Sequence, residues 1–171
     1  MVAALELYFD PPAERRIRAL WDALDEAQVP GLGMLANRRH RPHLSLVGAP
    51  ALDPHAVAAA LAGFAVAPPL TLSLQYAGQF VGRVLFLGPA PSAPLLAHHA
   101  EVWRRLSDAG LALPELYAPG TWVPHVTVSM RVPRPVLAEA VRRCLEVLPF
   151  GVRFTGAAVV DQARGINDPL P

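Results

Sequence analysis

With 171 residues, 53% of them hydrophobic, and a formal net charge of +1, the chain can build one sizeable core but has no global field to draw in nucleic acid or anionic lipid. Any anion site must therefore be local, and because all fifteen basic side chains are arginine, lysine Schiff-base chemistry, a lysine-centred phosphate loop and lysine nucleotidyl transfer are excluded. The single cysteine, Cys144, forbids an internal disulfide. No apolar run reaches the ~18 residues needed to span a bilayer, and the N-terminal stretch does not have the pattern of a signal peptide, so a cytoplasmic protein is expected.

Residues 2–9, VAALELYF, read as a strand. Asp10-Pro11 supplies the N-cap and first turn of a helix. Its inner face carries Ile17, Leu20, Trp21, Leu24 and Gln28, and Gly31 ends it. A short strand, LGMLAN, leads through the loop Arg38-Arg39-His40-Arg41 to a strand containing His43-Leu44-Ser45-Leu46. Asp53-Pro54 caps a second helix, with Val57, Leu61 and Phe64 inward. LTLSLQY at 70–76 and VLFLG at 84–88 read as strands joined by a turn, AGQFVGR. Ser92 caps a third helix with the stripe Leu95, His99, Val102, Trp103 and Leu106. Beyond the loop PELYAPGTW come the strand HVTVSMRV and a fourth helix over 133–148, with Leu137, Val141, Cys144, Leu145 and Leu148 on one face. A last strand, VRFTGAAVVD, precedes an irregular tail, RGINDPLP. Helices interspersed with half-buried strands predict an α+β fold with antiparallel sheets.

One pattern repeats. His43 and His125 lie 82 residues apart, in Pro42-His43-Leu44-Ser45-Leu46 and Pro124-His125-Val126-Thr127-Val128. Each strand is followed by a break and a helix. Residues i and i+2 of a strand face the same way, so His43 shares a face with Ser45, and His125 with Thr127. Two related lobes, each giving one strand to a central cleft, would bring two imidazoles and two hydroxyls together. Such a set suits phosphodiester chemistry. An imidazole has an unperturbed pKa near ~6.5, so at neutral pH one ring can accept a proton while the other donates one. A positioned acid or base contributes about 10²–10⁴-fold. The hydroxyls would donate to the non-bridging phosphate oxygens, and no metal or other cofactor is needed.

These paired His-x-[Ser/Thr]-x strands, with the LELYF strand and the helix order, resemble the 2H phosphoesterase superfamily, which includes 2′-5′ RNA ligases and cyclic phosphodiesterases. The resemblance covers nearly the whole chain. It implies a single bilobal domain over residues 1–171, with pseudo-two-fold symmetry, two antiparallel sheets lining a central cleft and helices packed outside. It also implies a metal-independent enzyme acting on 2′,3′-cyclic phosphates or 2′-5′ linkages, with RNA ends or nucleotide cyclic phosphates as partners and no membrane or obligate protein partner. His43 and His125 become the acid/base pair, and Ser45 and Thr127 the phosphate anchors. The first motif departs from the commoner Thr, losing the methyl that restrains χ1.

Further candidates surround the motifs. Arg41 and Arg131 share strand parity with the histidines and could bind phosphate. Tyr8, Tyr117 and Trp122 could stack a base. His99, on an apolar helix stripe, fits a core position, whereas His98 and His55 fit solvated ones. Cys144 fits a buried, inert thiol. A metal held by His40, His43 and His125 is disfavoured by the arginines around it. A non-catalytic RNA- or nucleotide-binding module that keeps the cleft is the alternative to an enzyme.

Overall fold

A computed structural model describes residues 3–32 and 40–170. Strand β1 (Ala3–Phe9) runs into helix α1 (Pro11–Glu26), where Asp10 Oδ1 accepts a hydrogen bond from Ala13 N–H at 3.1 Å. Then follow β2 (His43–Ala49), α2 (Pro54–Ala60), β3 (Thr71–Gln79), β4 (Leu85–Pro89), α3 (Ala93–Asp108), β5 (Val126–Ser129), α4 (Leu137–Val147), β6 (Phe150–Asp161) and β7 (Ile166–Leu170). Asp53 and Ser92 cap α2 and α3 as the sequence predicts.

Among the described residues every strand pairing is antiparallel, in the order β2-β1-β6-β3-β4-β5, with β7 added on β6. The 12-residue β6 joins two sheets: residues 150–153 pair with β3, and residues 154–161 with β1. The two motif strands stand at opposite ends of this order, yet they touch. Trp122 seals the contact: its indole N–H donates to the Ser45 carbonyl of β2 at 3.1 Å. Helices α1 and α4 pack on each other and against the strands behind the cleft, while α3 backs β2. A continuous apolar core, including Leu5, Leu7, Trp21, Leu44, Leu74 and Val128, lies between helices and sheets.

Both motif strands carry the same irregularity. Ser45 pairs with Glu6, but the next pairing joins Val47 to Leu5, so Leu46 is an extra residue. Thr127 pairs with Phe86, and the next pairing joins Ser129 to Leu85, so Val128 is extra. These β-bulges sit one residue past each hydroxyl. They turn the following side chain inward, which is why Leu46 and Val47, and likewise Val128 and Ser129, are buried in succession.

Several expectations are corrected. The tail forms β7, an edge strand that tolerates Pro169 because its outer side needs no ladder hydrogen bond. Helix α1 stops at Glu26, and Gln28 lies exposed with φ of 60° instead of on the inner face. Strand β3 continues through Gln79, leaving only residues 80–84 for the turn. The fourth helix begins with a 3₁₀ turn (Arg134–Val136), and Leu145 is exposed, its place inward taken by Ala140 beside Cys144. His98 is half-buried, stacked on Phe64 and bonded to the Val66 carbonyl, not solvated. Most of LGMLAN, together with Arg38 and Arg39, lies outside the described residues; Gly31 and Leu32 at its edge bond to β5.

Candidate active site

Each Pro-His pair builds one small device. Proline holds the residue before it extended. The carbonyl of Arg41 thereby meets His43 Nδ1, and that of Val123 meets His125 Nδ1, each at 2.7 Å. A carbonyl only accepts, so each Nδ1 carries a proton and donates it. That leaves each Nε2 as the nitrogen available for proton transfer.

His43, Ser45, His125 and Thr127 all line one cavity of 710 Å³. Positive charge on His43 disfavours protonation of His125. Burial is the larger cause holding His125 below its ordinary value, while the Val123 carbonyl opposes it. Phe80 and Phe86 meet the His125 ring at steep angles, with centroids 4.8 and 5.5 Å away. Gly78 makes room for this wall, because a Cβ there would sit 2.3 Å from the Phe86 ring.

His43 has different company. Glu6 Oε1, on the neighbouring strand β1, stands 3.5 Å from His43 Nε2. Glu6 is 6% exposed, and burial raises its carboxyl above the ordinary value against opposing pulls from His43, a Tyr8 hydrogen bond and Arg41. Burial and the adjacent Glu6 raise Tyr8, so its hydroxyl stays neutral and donates to Glu6. Motif spacing does not single out Glu6. Its signal was one acid at the Tyr8 parity in the otherwise apolar LELYF.

The other candidates are placed as follows. Arg41 does not line the cavity; its guanidinium pairs with Glu14 at 3.0 Å and lies 4.1 Å above the Tyr8 ring. That covers one face of the Tyr8 ring, and Tyr8 is not among the cavity-lining residues. Arg131 does not continue the motif strand: β5 ends at Ser129, Arg131 has φ of 58°, and it is not among the residues that line the cavity. Tyr117 and Trp122 do line the cavity, although both are mostly buried. One face of Trp122 is already stacked on His99, with ring centroids 3.9 Å apart. Val81, Leu116, Val123 and Met130 form an exposed apolar rim. Among the described residues no three His, Cys, Asp or Glu side chains converge as metal ligands do, and no helix is long and apolar enough to cross a membrane.

The chain matches the family model of the 2′-5′ RNA ligase superfamily over residues 9–166. No curated protein matches it by sequence. Among solved structures it is similar to one described as a phosphoesterase, with a TM-score of 0.65 and 19% identity over 99% of this chain and 95% of that one. It is also similar to Escherichia coli LigT complexed with 3′-AMP (TM-score 0.62, 18% identity, 99% and 94% covered) and with NADP+ (0.60, 21%, 99% and 94%). These likenesses show a common fold. From the family match over most of its length, this chain belongs to the 2′-5′ RNA ligase superfamily, a branch of the 2H phosphoesterases.

Proposed function

We propose that this chain is a metal-independent phosphoesterase that acts on 2′,3′-cyclic phosphates or 2′-5′ phosphodiesters of RNA ends or nucleotides, using His43 and His125 as an acid/base pair. The duplicated Pro-His device carries this reading: two rings with Nδ1 committed to a carbonyl share one cavity with two hydroxyls. One Nε2 removes a proton from the attacking water or ribose hydroxyl. The other protonates the departing oxygen. Ser45 and Thr127 donate to the non-bridging oxygens, where charge grows in the transition state. Imidazolium and hydroxyl dipoles supply the electrostatics that a metal would otherwise supply. The apolar rim suits a nucleobase, and the nucleotides bound by E. coli LigT support a ligand of that class. On this reading residues 1–171 act as one bilobal unit, because each lobe provides half of the acid/base set.

The test is turnover by EDTA-treated protein of the four nucleoside 2′,3′-cyclic phosphates and a 2′-5′-linked dinucleotide. His43→Ala and His125→Ala are each expected to lose about 10²–10⁴-fold in kcat. Folded protein that binds these ligands without turning any of them over, and whose binding ignores both substitutions, would instead be a nucleotide-binding module.

A further inference from the structure

Granting the phosphodiester chemistry proposed above, we propose that Glu6 is a positioning residue that makes His43 the proton donor and leaves His125 as the proton acceptor. The two histidines are alike in backbone and in Nδ1 partner, so the motifs alone assign no direction. Their surroundings do. His43 lies between two acceptors: the Arg41 carbonyl at Nδ1, 2.7 Å away, and the Glu6 carboxylate facing Nε2 at 3.5 Å. A ring whose two nitrogens both face acceptors is satisfied only with a proton on each. Among the described residues His125 meets one acceptor, the Val123 carbonyl, and its ring packs against Phe80 and Phe86. An apolar wall favours the uncharged ring with a free lone pair on Nε2.

Glu6 is held ready by its own support. The Tyr8 hydroxyl donates to it, and Asn167 of β7 bonds to Tyr8. Among the described residues the charged or titratable groups that act on this cluster are Arg41, which favours the Glu6 carboxylate, and His40 and His125, which interact with His43. With a 2′-5′ linkage, the 3′-hydroxyl oxygen bonds to phosphorus and its proton passes to His125 Nε2. The bond from phosphorus to the 5′ oxygen breaks, and that oxygen takes the proton from His43 Nε2. The products are a 2′,3′-cyclic phosphate and a free 5′-hydroxyl. Solvent then returns a proton to His43, drawn by the Glu6 carboxylate, and removes one from His125.

The experiment compares a 2′-5′-linked dinucleotide with its analogue carrying sulphur at the bridging 5′ position. A thiolate leaves without a proton, so a defect confined to the donor disappears on the sulphur substrate. Glu6→Gln is expected to lose part of the roughly 10²–10⁴-fold that a positioned acid supplies on the oxygen substrate, and to approach wild-type kcat on the sulphur one. His43→Ala should follow the same pattern more strongly. His125→Ala should be slow on both. Glu6→Asp, which keeps the charge but withdraws it by one methylene, should show the same selectivity in smaller measure, and it keeps the test open if the Gln variant unfolds. Equal losses on both substrates, or none on either, would overturn the role of Glu6 while leaving a working enzyme. Wild-type protein inactive on both substrates would instead overturn the proposed function itself.

Discussion

Strands β2 and β5 are near copies that face different neighbours. At each, a Pro-His step ties Nδ1 to the carbonyl two residues before the histidine, and a hydroxyl stands two residues after it. Each is broken by a bulge at the next position. The repeat thus makes a two-handed site with no built-in direction. On the proposed chemistry, direction comes from the strands beside them. β1 gives His43 an acid and a phenol, while β4 and the turn before it give His125 two phenylalanines. On the proposed chemistry, duplication supplies the tools and the flanking strands decide which tool does what.

The largest expected effect that would sharpen this comparison is in the hydroxyls. Thr127 holds its Oγ with a methyl that restrains χ1, and Ser45 does not. Thr127→Val is therefore expected to lose about 10²-fold in kcat, as a removed transition-state donor does. Ser45→Ala is expected to lose roughly ten-fold, since a freely rotating hydroxyl spends less time aimed at the phosphate. Steady-state kinetics on one cyclic nucleotide checks both. Equal losses would mean that the bulges fix both hydroxyls and the methyl is irrelevant.

A smaller, pH-dependent effect breaks the asymmetry from the other side. Burial, followed by the charge of His43, holds His125 below the ordinary imidazole value. A base with a depressed pKa stays unprotonated to lower pH, so the acid limb of the rate profile should lie below ~6.5. Phe80→Ala removes one wall and lets water solvate the charged ring. The limb should then move up, and activity near pH 6 should fall relative to pH 8. A profile unmoved by Phe80→Ala would show that another group sets the limb.

How much of this was legible in the sequence follows from the range of the forces involved. Strand parity and capping act over a few residues, so the motif strands, the Asp10, Asp53 and Ser92 caps and the apolar stripe of α3 were all readable. The twin motif even announced a shared site, because a repeated local pattern implies repeated local geometry. What failed depended on partners far along the chain. β7 exists because β6 offers it an edge, which no property of RGINDPLP announces. Arg131 loses its strand parity with His125 because β5 stops at Ser129. Arg41 carries its charge to Glu14, 27 residues earlier, so parity with His43 did not bring it to the cavity. Glu6 reaches His43 only through the β1–β2 register.

A third histidine gives the control with the smallest effect on chemistry. His99 sits on α3, 1% exposed, stacked flat on Trp122, which in turn bonds the Ser45 carbonyl. Burial pulls its pKa down to about 4, against a smaller opposing pull from the backbone of Tyr117 and Leu46. The folded ring is therefore neutral where the unfolded ring would be charged. Its contribution is whole above the unfolded value near ~6.5 and is lost progressively as pH falls toward about 4, where the folded ring also charges. The loss is on the order of 3 kcal/mol. His99→Phe keeps the stacking partner and cannot be protonated. Urea unfolding at pH 7.5 and at pH 4.5 should show a smaller fall in stability for the variant than for wild type, while kcat at neutral pH changes by less than about three-fold. If His99→Phe instead abolished turnover with stability intact, proton traffic would extend behind Trp122, and β2 and β5 would no longer account for the site between them.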